Sequence, residues 1–458
     1  MRNRDTDITE GVIWKQLLAF FFPIMFGTFF QQLYNTVDAI VVGKYVGTEA
    51  LAAVGGATAQ IINLIVGFFV GLASGGTVIL SQYYGARDNE NVSRTVHTAV
   101  ALALTGGAVL SVVGYVLSPA MLRMLNTPEN VMDNALSYIR ICFAGMIPSL
   151  IYNFGGGLLR AVGDSRRPLY FLICACSINI VMDILLVLGF GMGVAGAALA
   201  TILSQAISAV LVVIALMRTD KPYRLQVRKI RFHKDILLRI VKIGLPAGLN
   251  SVFYTISNTL IQAGINGFGT VVMAAQTAYS KLDAMFWMII NAFGISITTF
   301  VGQNFGAKRY DRMRKSTRIC LAMAAAATIL LSVILLPLGR VLFGLFTDDE
   351  AVLEQGLEIM HLLVPCYITY ICVEIFTGTV RGAGDSLRPT IVTLVGICGL
   401  RLFWILVLLP NFNSVRALMA CYPISWTVTS IALVVYYFKG GWLERCKAKA
   451  GHTQIEKN

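Results

Sequence analysis

Two aspartates in otherwise apolar stretches are the side chains of this 458-residue chain best placed to do chemistry. Asp38 closes a polar run of Gln31, Tyr34, Asn35 and Asp38. The spacing i, i+3, i+4, i+7 puts all four on one face of a helix. Asp183 lies one turn beyond Asn179, again on one face. Neither acid has an evident basic partner in its own stretch. Two carboxylates in a low-dielectric interior cannot both stay ionised cheaply, so a proton or a sodium ion belongs between them. A hydrogen-bonded structural pair is the other reading. Further charges at depth are Lys281, Asp283, Glu374 and Arg401. Lys281 and Asp283 are two apart, face differently and need other partners. An ion pair of Arg401 with Asp283 or Glu374 is expected, with substrate contact as the alternative. Met285, Phe286, Trp287 and Met288 are candidates for a wall that adapts to apolar ligands.

The surroundings of these residues set the fold class. The chain is 56% hydrophobic and only 13% charged, against about 25% charged in soluble domains. Lipid must be its main solvent, where only helices or closed barrels satisfy the backbone. The apolar runs are long and continuous rather than alternating, so helices are expected. Runs of about twenty apolar residues suffice to cross. Twelve are found, near 16–42, 51–81, 96–118, 134–160, 167–189, 193–217, 236–265, 272–302, 316–340, 353–380, 388–410 and 414–438. The second and eighth are long and should tilt or extend beyond the lipid. The expected fold is all-α, with two six-helix bundles, residues 16–218 and 236–438. A segment 1–15, a linker 219–235 and a tail 439–458 complete the chain.

Lysine and arginine orient it. Of 37 such residues, 30 fall on one side when the N-terminus, every second loop and the C-terminus are grouped. By the positive-inside rule both termini are cytoplasmic. The linker is basic and contains Pro222, and reads as a solvated loop.

The two bundles are related in sequence. Residues 158–168 read LLRAVGDSRRP and residues 379–389 read TVRGAGDSLRP, an offset of 221. Gln82-x-x-Gly85-Ala86 and Gln303-x-x-Gly306-Ala307 share that offset. Pro23 and Asn35 match Pro246 and Asn258 at 223. Six spans per half is an even number, so the halves insert the same way up, as in transporters built from parallel repeats. Asp164 and Asp385 can each cap the helix that follows the turn. Asn179 and Asp183 find only Leu400 and Trp404 at offset 221, so the acidic site is not duplicated.

Other classes fit poorly. The basic residues sit in short loops with no aromatic interleaving, which argues against nucleic acid. The nine cysteines and four histidines show no ligand spacing. No nucleophile–base motif or Walker A sequence is present, so neither an intramembrane enzyme nor ATP drive is expected.

Taken in order, Pro23 with Tyr34-Asn35-x-x-Asp38, the two Gln-x-x-Gly-Ala loops, the paired G-D-S turns and Asn179-x-x-x-Asp183 resemble the multidrug and toxic compound extrusion (MATE) family. The likeness runs over about residues 12–440 and is similar to its DNA-damage-inducible branch. It implies a V-shaped twelve-helix fold with a central cleft. It also implies a monomer in the plasma membrane exporting small cationic or amphipathic organic compounds against inward proton or sodium flow, with no other cofactor. Asp38, Asn179 and Asp183 would be the coupling residues, with Tyr34, Asn35 and Thr201 nearby, and Pro23 a helix kink. Glu374 lies nearer the G-D turn than the sodium-coupled pattern places its acid, and the seventh span has none. Protons are therefore favoured. A flippase of a lipid-linked precursor, on the same fold, is the alternative, and would need a basic cavity that Lys281 and Arg401 alone would have to supply.

Overall fold

The computed structural model describes residues 8–409, 412 and 414–451. Among them eleven helices are long and apolar enough to cross a bilayer, and a bent pair supplies the twelfth crossing. The first half holds α1 (Ile13–Tyr45), α2 (Thr48–Gly85), α3 (Asn89–Met124), the pair α4 (Glu129–Ala144 and Met146–Ala161, bent by 51°), α5 (Arg166–Gly189) and α6 (Gly193–Met217). The second holds α7 (Lys234–Asn266), α8 (Thr270–Gly306), α9 (Tyr310–Gly344), α10 (Glu350–Gly382), α11 (Leu387–Leu408) and α12 (Val415–Lys439). A short helix, α13 (Trp442–Lys449), follows.

α2 and α8 have 38 and 37 residues, as their long apolar runs predict, but α3 and α9 reach 36 and 35. A helix of that length measures about 54 Å, against a hydrocarbon layer of about 30 Å. Their first turns are polar, Asn89 to Arg94 and Tyr310 to Arg318, so hydropathy starts these spans late. Asp88 caps α3 by accepting from Asn91 N at 3.1 Å.

Packing divides the chain into two compact units, and the divisions fall inside α1 and α7 rather than in the 219–235 segment. The first unit runs from Phe22 to Gly248. Within it the start of α7 lies against α2 through glycines. A side chain at Gly71 or Gly75 would overlap the backbone of Gly248 or Ile240, and one at Gly244 or Gly248 would overlap that of Leu72 or Phe68. Between lipid-facing helices such close approach supplies the van der Waals contact that hydrophobic burial supplies in water. Ile236 and Ile240 join Val78, Val96, Leu159 and Val212 in the unit's core. The linker is pinned rather than loose. Gln226 N donates to His97 Nε2 at 3.1 Å, His233 N to Thr98 Oγ1 at 3.2 Å, and Arg94 pairs with Asp235 at 2.7 Å.

The second unit takes Ile8–Phe21 together with the chain from Leu249 on. Arg312 holds this N-terminal piece, donating to the carbonyls of Ile8, Glu10 and Gly11 and to Gln16 Oε1 at 2.7 Å. Phe21 stacks on Phe293 with ring centroids 4.2 Å apart.

The duplication is visible in the backbone. Gly163 and Gly384 take φ of 100° and 102°, and Arg87 and Lys308 take 57° and 58°. Asp164 caps α5, accepting from Arg166 N and Arg167 N. Asp385 accepts from Tyr436 Oη at 2.9 Å and lies 3.5 Å from Arg388.

Candidate functional site

The polar face of α1 survives folding as the wall of a cavity of about 350 Å³ inside the first unit. Gln31, Tyr34, Asn35 and Asp38 all border it, as their helical spacing requires. α6 brings Thr201, one turn before Gln205, to the opposite wall. Thr201 Oγ1 donates to Asp38 Oδ2 at 3.1 Å. Tyr34 reaches the side chains of Gln31 and Gln205. Asp38 is buried, 5% exposed, and borders this cavity.

Asn179 and Asp183 stand behind that wall. Both are 0% exposed and neither borders the cavity. They interact with Asp38 without reaching full hydrogen-bond geometry. Asp38 Oδ1, both Asp183 oxygens and both Asn179 amide atoms are consequently buried with no hydrogen-bond partner. Leaving such atoms unmet is costly. Four of these atoms are acceptor oxygens and one, Asn179 Nδ2, is a donor. Asp183 is also the last residue of regular α-helix before a π-helical turn, Ile184–Gly189. Such turns cluster at functional sites. One recurs at Trp404–Leu408, at the repeat offset.

Several lining residues were not singled out by sequence: Asn63, Tyr138, Cys142, Asn153, Ser204 and Gln205. Tyr138 and Cys142, like Thr201 and Gln205, are four apart inside apolar spans, which is the signal that could have found them. Pro23 lies within α1, which passes it unbroken.

The charges of the second half do not pair as expected. No Asp283 or Glu374 oxygen comes within ion-pair distance of Arg401. Its Nη1 donates to Asn258 Oδ1 at 3.1 Å, its Nε donates to Ser425 Oγ at 3.2 Å, and its guanidinium lies 4.4 Å from the Tyr422 ring centroid. The guanidinium lies over that ring, and the two neutral acceptors take Nη1 and Nε while Nη2 is left without a partner. Asp283 accepts from Tyr367 Oη at 2.6 Å and Trp287 Nε1 at 2.8 Å. Glu374 packs on Gly294, where any side chain would overlap it, and interacts with Arg381 on its own helix. Lys281 is exposed. The four-residue wall does not form. Phe286 is fully buried and stacks on Tyr367 at 4.0 Å, while Met285 is exposed on another side of α8.

A MatE family model matches residues 23–185 and again residues 246–406. The chain belongs to the MatE family. The two MatE matches begin 223 residues apart, at the two prolines that open the repeat. Its relatives include two probable multidrug resistance proteins of Bacillus subtilis, YpnP, 29% identical over 95% of this chain and 97% of that one, and YoeA, 25% identical over 94% and 95%. Among solved structures, an outward-facing multidrug resistance MATE family transporter of the MOP superfamily covers 98% of this chain and all of its own, with TM-score 0.88 at 21% identity. A MOP superfamily transporter from Pyrococcus furiosus matches at the same TM-score and identity over 99% of this chain. The all-α twelve-span MatE fold is thus established, and the protein is a multi-pass membrane protein.

Proposed function

We propose that this MatE protein is a secondary antiporter that exports small cationic or amphipathic organic compounds, driven by inward proton or sodium flow through Asp38 and Asp183. The observation that carries this reading is the set of buried carboxylate and amide oxygens around Asp38 that lack a hydrogen-bond donor, beside a cavity large enough for a small organic molecule. An acceptor cluster that interacts across two carboxylates holds a proton or cation in one state and releases it in another. Thr201 stabilises the ionised form of Asp38 through its hydroxyl. Asn179 adds a neutral amide oxygen to the same cluster. Alternating access of the two repeats then exposes the acids to each side in turn. Protons suit this chain better than sodium, because the second half offers no matching acid on α7. The protein acts as a monomer in the plasma membrane, with both termini cytoplasmic and no cofactor beyond the coupling ion. The names of the curated relatives, multidrug resistance proteins, agree with export. A lipid-linked-precursor flippase would need a basic cavity. Arg401 is instead bonded into its own half and Lys281 is exposed.

The test is efflux of a fluorescent organic cation from proteoliposomes, with pH and sodium gradients imposed separately. One gradient should drive wild-type export, and Asp38→Asn should abolish it while the protein still folds and inserts. Export at the wild-type rate by that variant would overturn the assignment.

A further inference from the structure

The second unit contains a polar cavity of its own, of about 90 Å³. Much of its lining corresponds to that of the first cavity through the repeat. At offset 221 Gly55, Val66, Thr201 and Gln205 become Gln276, Trp287, Tyr422 and Trp426, and at 223 Asn35 becomes Asn258. All ten border their respective cavities. The larger side chains account for the loss of volume. The charge has changed as well as the size. Asp38 becomes Ile261, while Ile62 becomes Asp283 and Ile180 becomes Arg401. Asp283 and Arg401 both border the small cavity and interact across it. Arg401 is 1% exposed, and its Nη2 has no partner.

We infer that Arg401 is a tethered counter-cation: from the repeat position of Ile180 it reaches into the second-half counterpart of the cavity beside Asp38 and, with Asp283, excludes any mobile coupling ion from that half. A guanidinium fixed by Tyr422 and Asn258 supplies, permanently, the positive charge that a proton or sodium ion would supply in the first half. Asp283, beyond ion-pair distance of Arg401 but facing it across the same small cavity, then lies in a positive field that disfavours a second cation. The inference rests on the reading of the first cavity as the coupling site, and it makes coupling one-sided. Arg401 is a positioning residue in this scheme and touches no transported compound.

Because the role is charge balance in a closed pocket, stability can test it without transport. Arg401→Ala should lower the melting temperature of the purified protein by several degrees, about 5 °C or more, since a buried carboxylate loses its counter-charge. Millimolar methylguanidinium should restore part of that loss in Arg401→Ala and leave wild type unmoved, whereas tetramethylammonium, which has no N–H to donate to Asn258 Oδ1 and Ser425 Oγ, should restore none. A folded Arg401→Ala protein indifferent to methylguanidinium would overturn the inference. Where Arg401→Ala does not fold, Arg401→Met is compared with Arg401→Met plus Asp283→Asn. The double variant should recover at least half of the lost melting temperature or of the folded yield, and no recovery would overturn the proposal. Failure of either arm, with Asp38→Asn still inactive in export, would leave the coupling reading standing. Wild-type export by Asp38→Asn would remove the coupling reading but not the stability result.

Discussion

Thr201 gives Asp38 the hydrogen bond that the described chain provides it, at 3.1 Å. Replacing Thr201 by Val keeps the shape and removes the donor. A buried charge-assisted hydrogen bond contributes about 1–2 kcal/mol net, so initial export rates in proteoliposomes should fall about 5- to 30-fold, with unchanged membrane levels. Thr201→Ser should stay within about twofold of wild type, because its hydroxyl reaches the same oxygen. Equal rates for Val and wild type would show that Asp38 does not depend on that bond. The polar face of α1 is legible in sequence because charge inside an apolar run stands out and the spacing is local. Thr201 came only from family likeness. A hydroxyl in a helix usually satisfies itself on the preceding turn, as Thr201 also does with Ala197 O at 3.0 Å. Tyr138 and Gln205 were missed for the same reason: neutral polar residues announce a site only once several helices bring them together. Arg401 was legible as a buried charge, but its choice of Asn258, Ser425 and Tyr422 over a carboxylate is a matter of tertiary geometry.

The contact between α2 and the start of α7 shows what helices in lipid rely on. Gly71, Gly75, Gly244 and Gly248 form two small-x-x-x-small pairs that were readable in the sequence, yet nothing in either helix says which neighbour it will meet. Hydropathy located the spans and could not see that α3 and α9 begin earlier on charged turns, that α5 ends in a π-turn, or that the first turns of α7 pack with the first half. Gly75→Ala places a methyl into the backbone of Ile240 and Gly244. Backbone cannot step aside as a side chain does, so the helices must part, at a cost of about 1–3 kcal/mol by analogy with overpacked cores. The melting temperature should drop by about 1–3 °C. Gly76→Ala is the control. Its methyl would sit 3.7 Å from the Ala99 Cβ, an ordinary contact, and should change little. Similar melting curves for the two variants would mean that the seam is not tight.

Duplication organises the molecule, and departure from it gives each half its work. The family model matches both halves, the turns at Gly163 and Gly384 repeat to within a few degrees, and yet one cavity of about 350 Å³ is bordered by Asp38 while its counterpart of about 90 Å³ is lined with rings, Asp283 and a guanidinium. Six crossings per half return the chain to the same side, so the two halves are expected to lie the same way up, and the basic residues predict which way. Thirty of the 37 lysines and arginines group with the termini and alternate loops, a bias of the kind that directs insertion. Alkaline phosphatase fused after Gly47, Asn126, Gly191, Gly269 or Thr347 should therefore be active. Fused after Arg87, Gly163, Asp220 or Lys308 it should be inactive, and green fluorescent protein should show the reverse, with contrasts of about tenfold or more between neighbouring loops. The pattern should repeat across the linker without inversion, because six crossings separate Arg87 from Lys308 and return the chain to the same face. Activity that inverted after Asp220 would make the halves antiparallel, and a parallel-repeat mechanism with one acidic half and one arginine-plugged half could not hold.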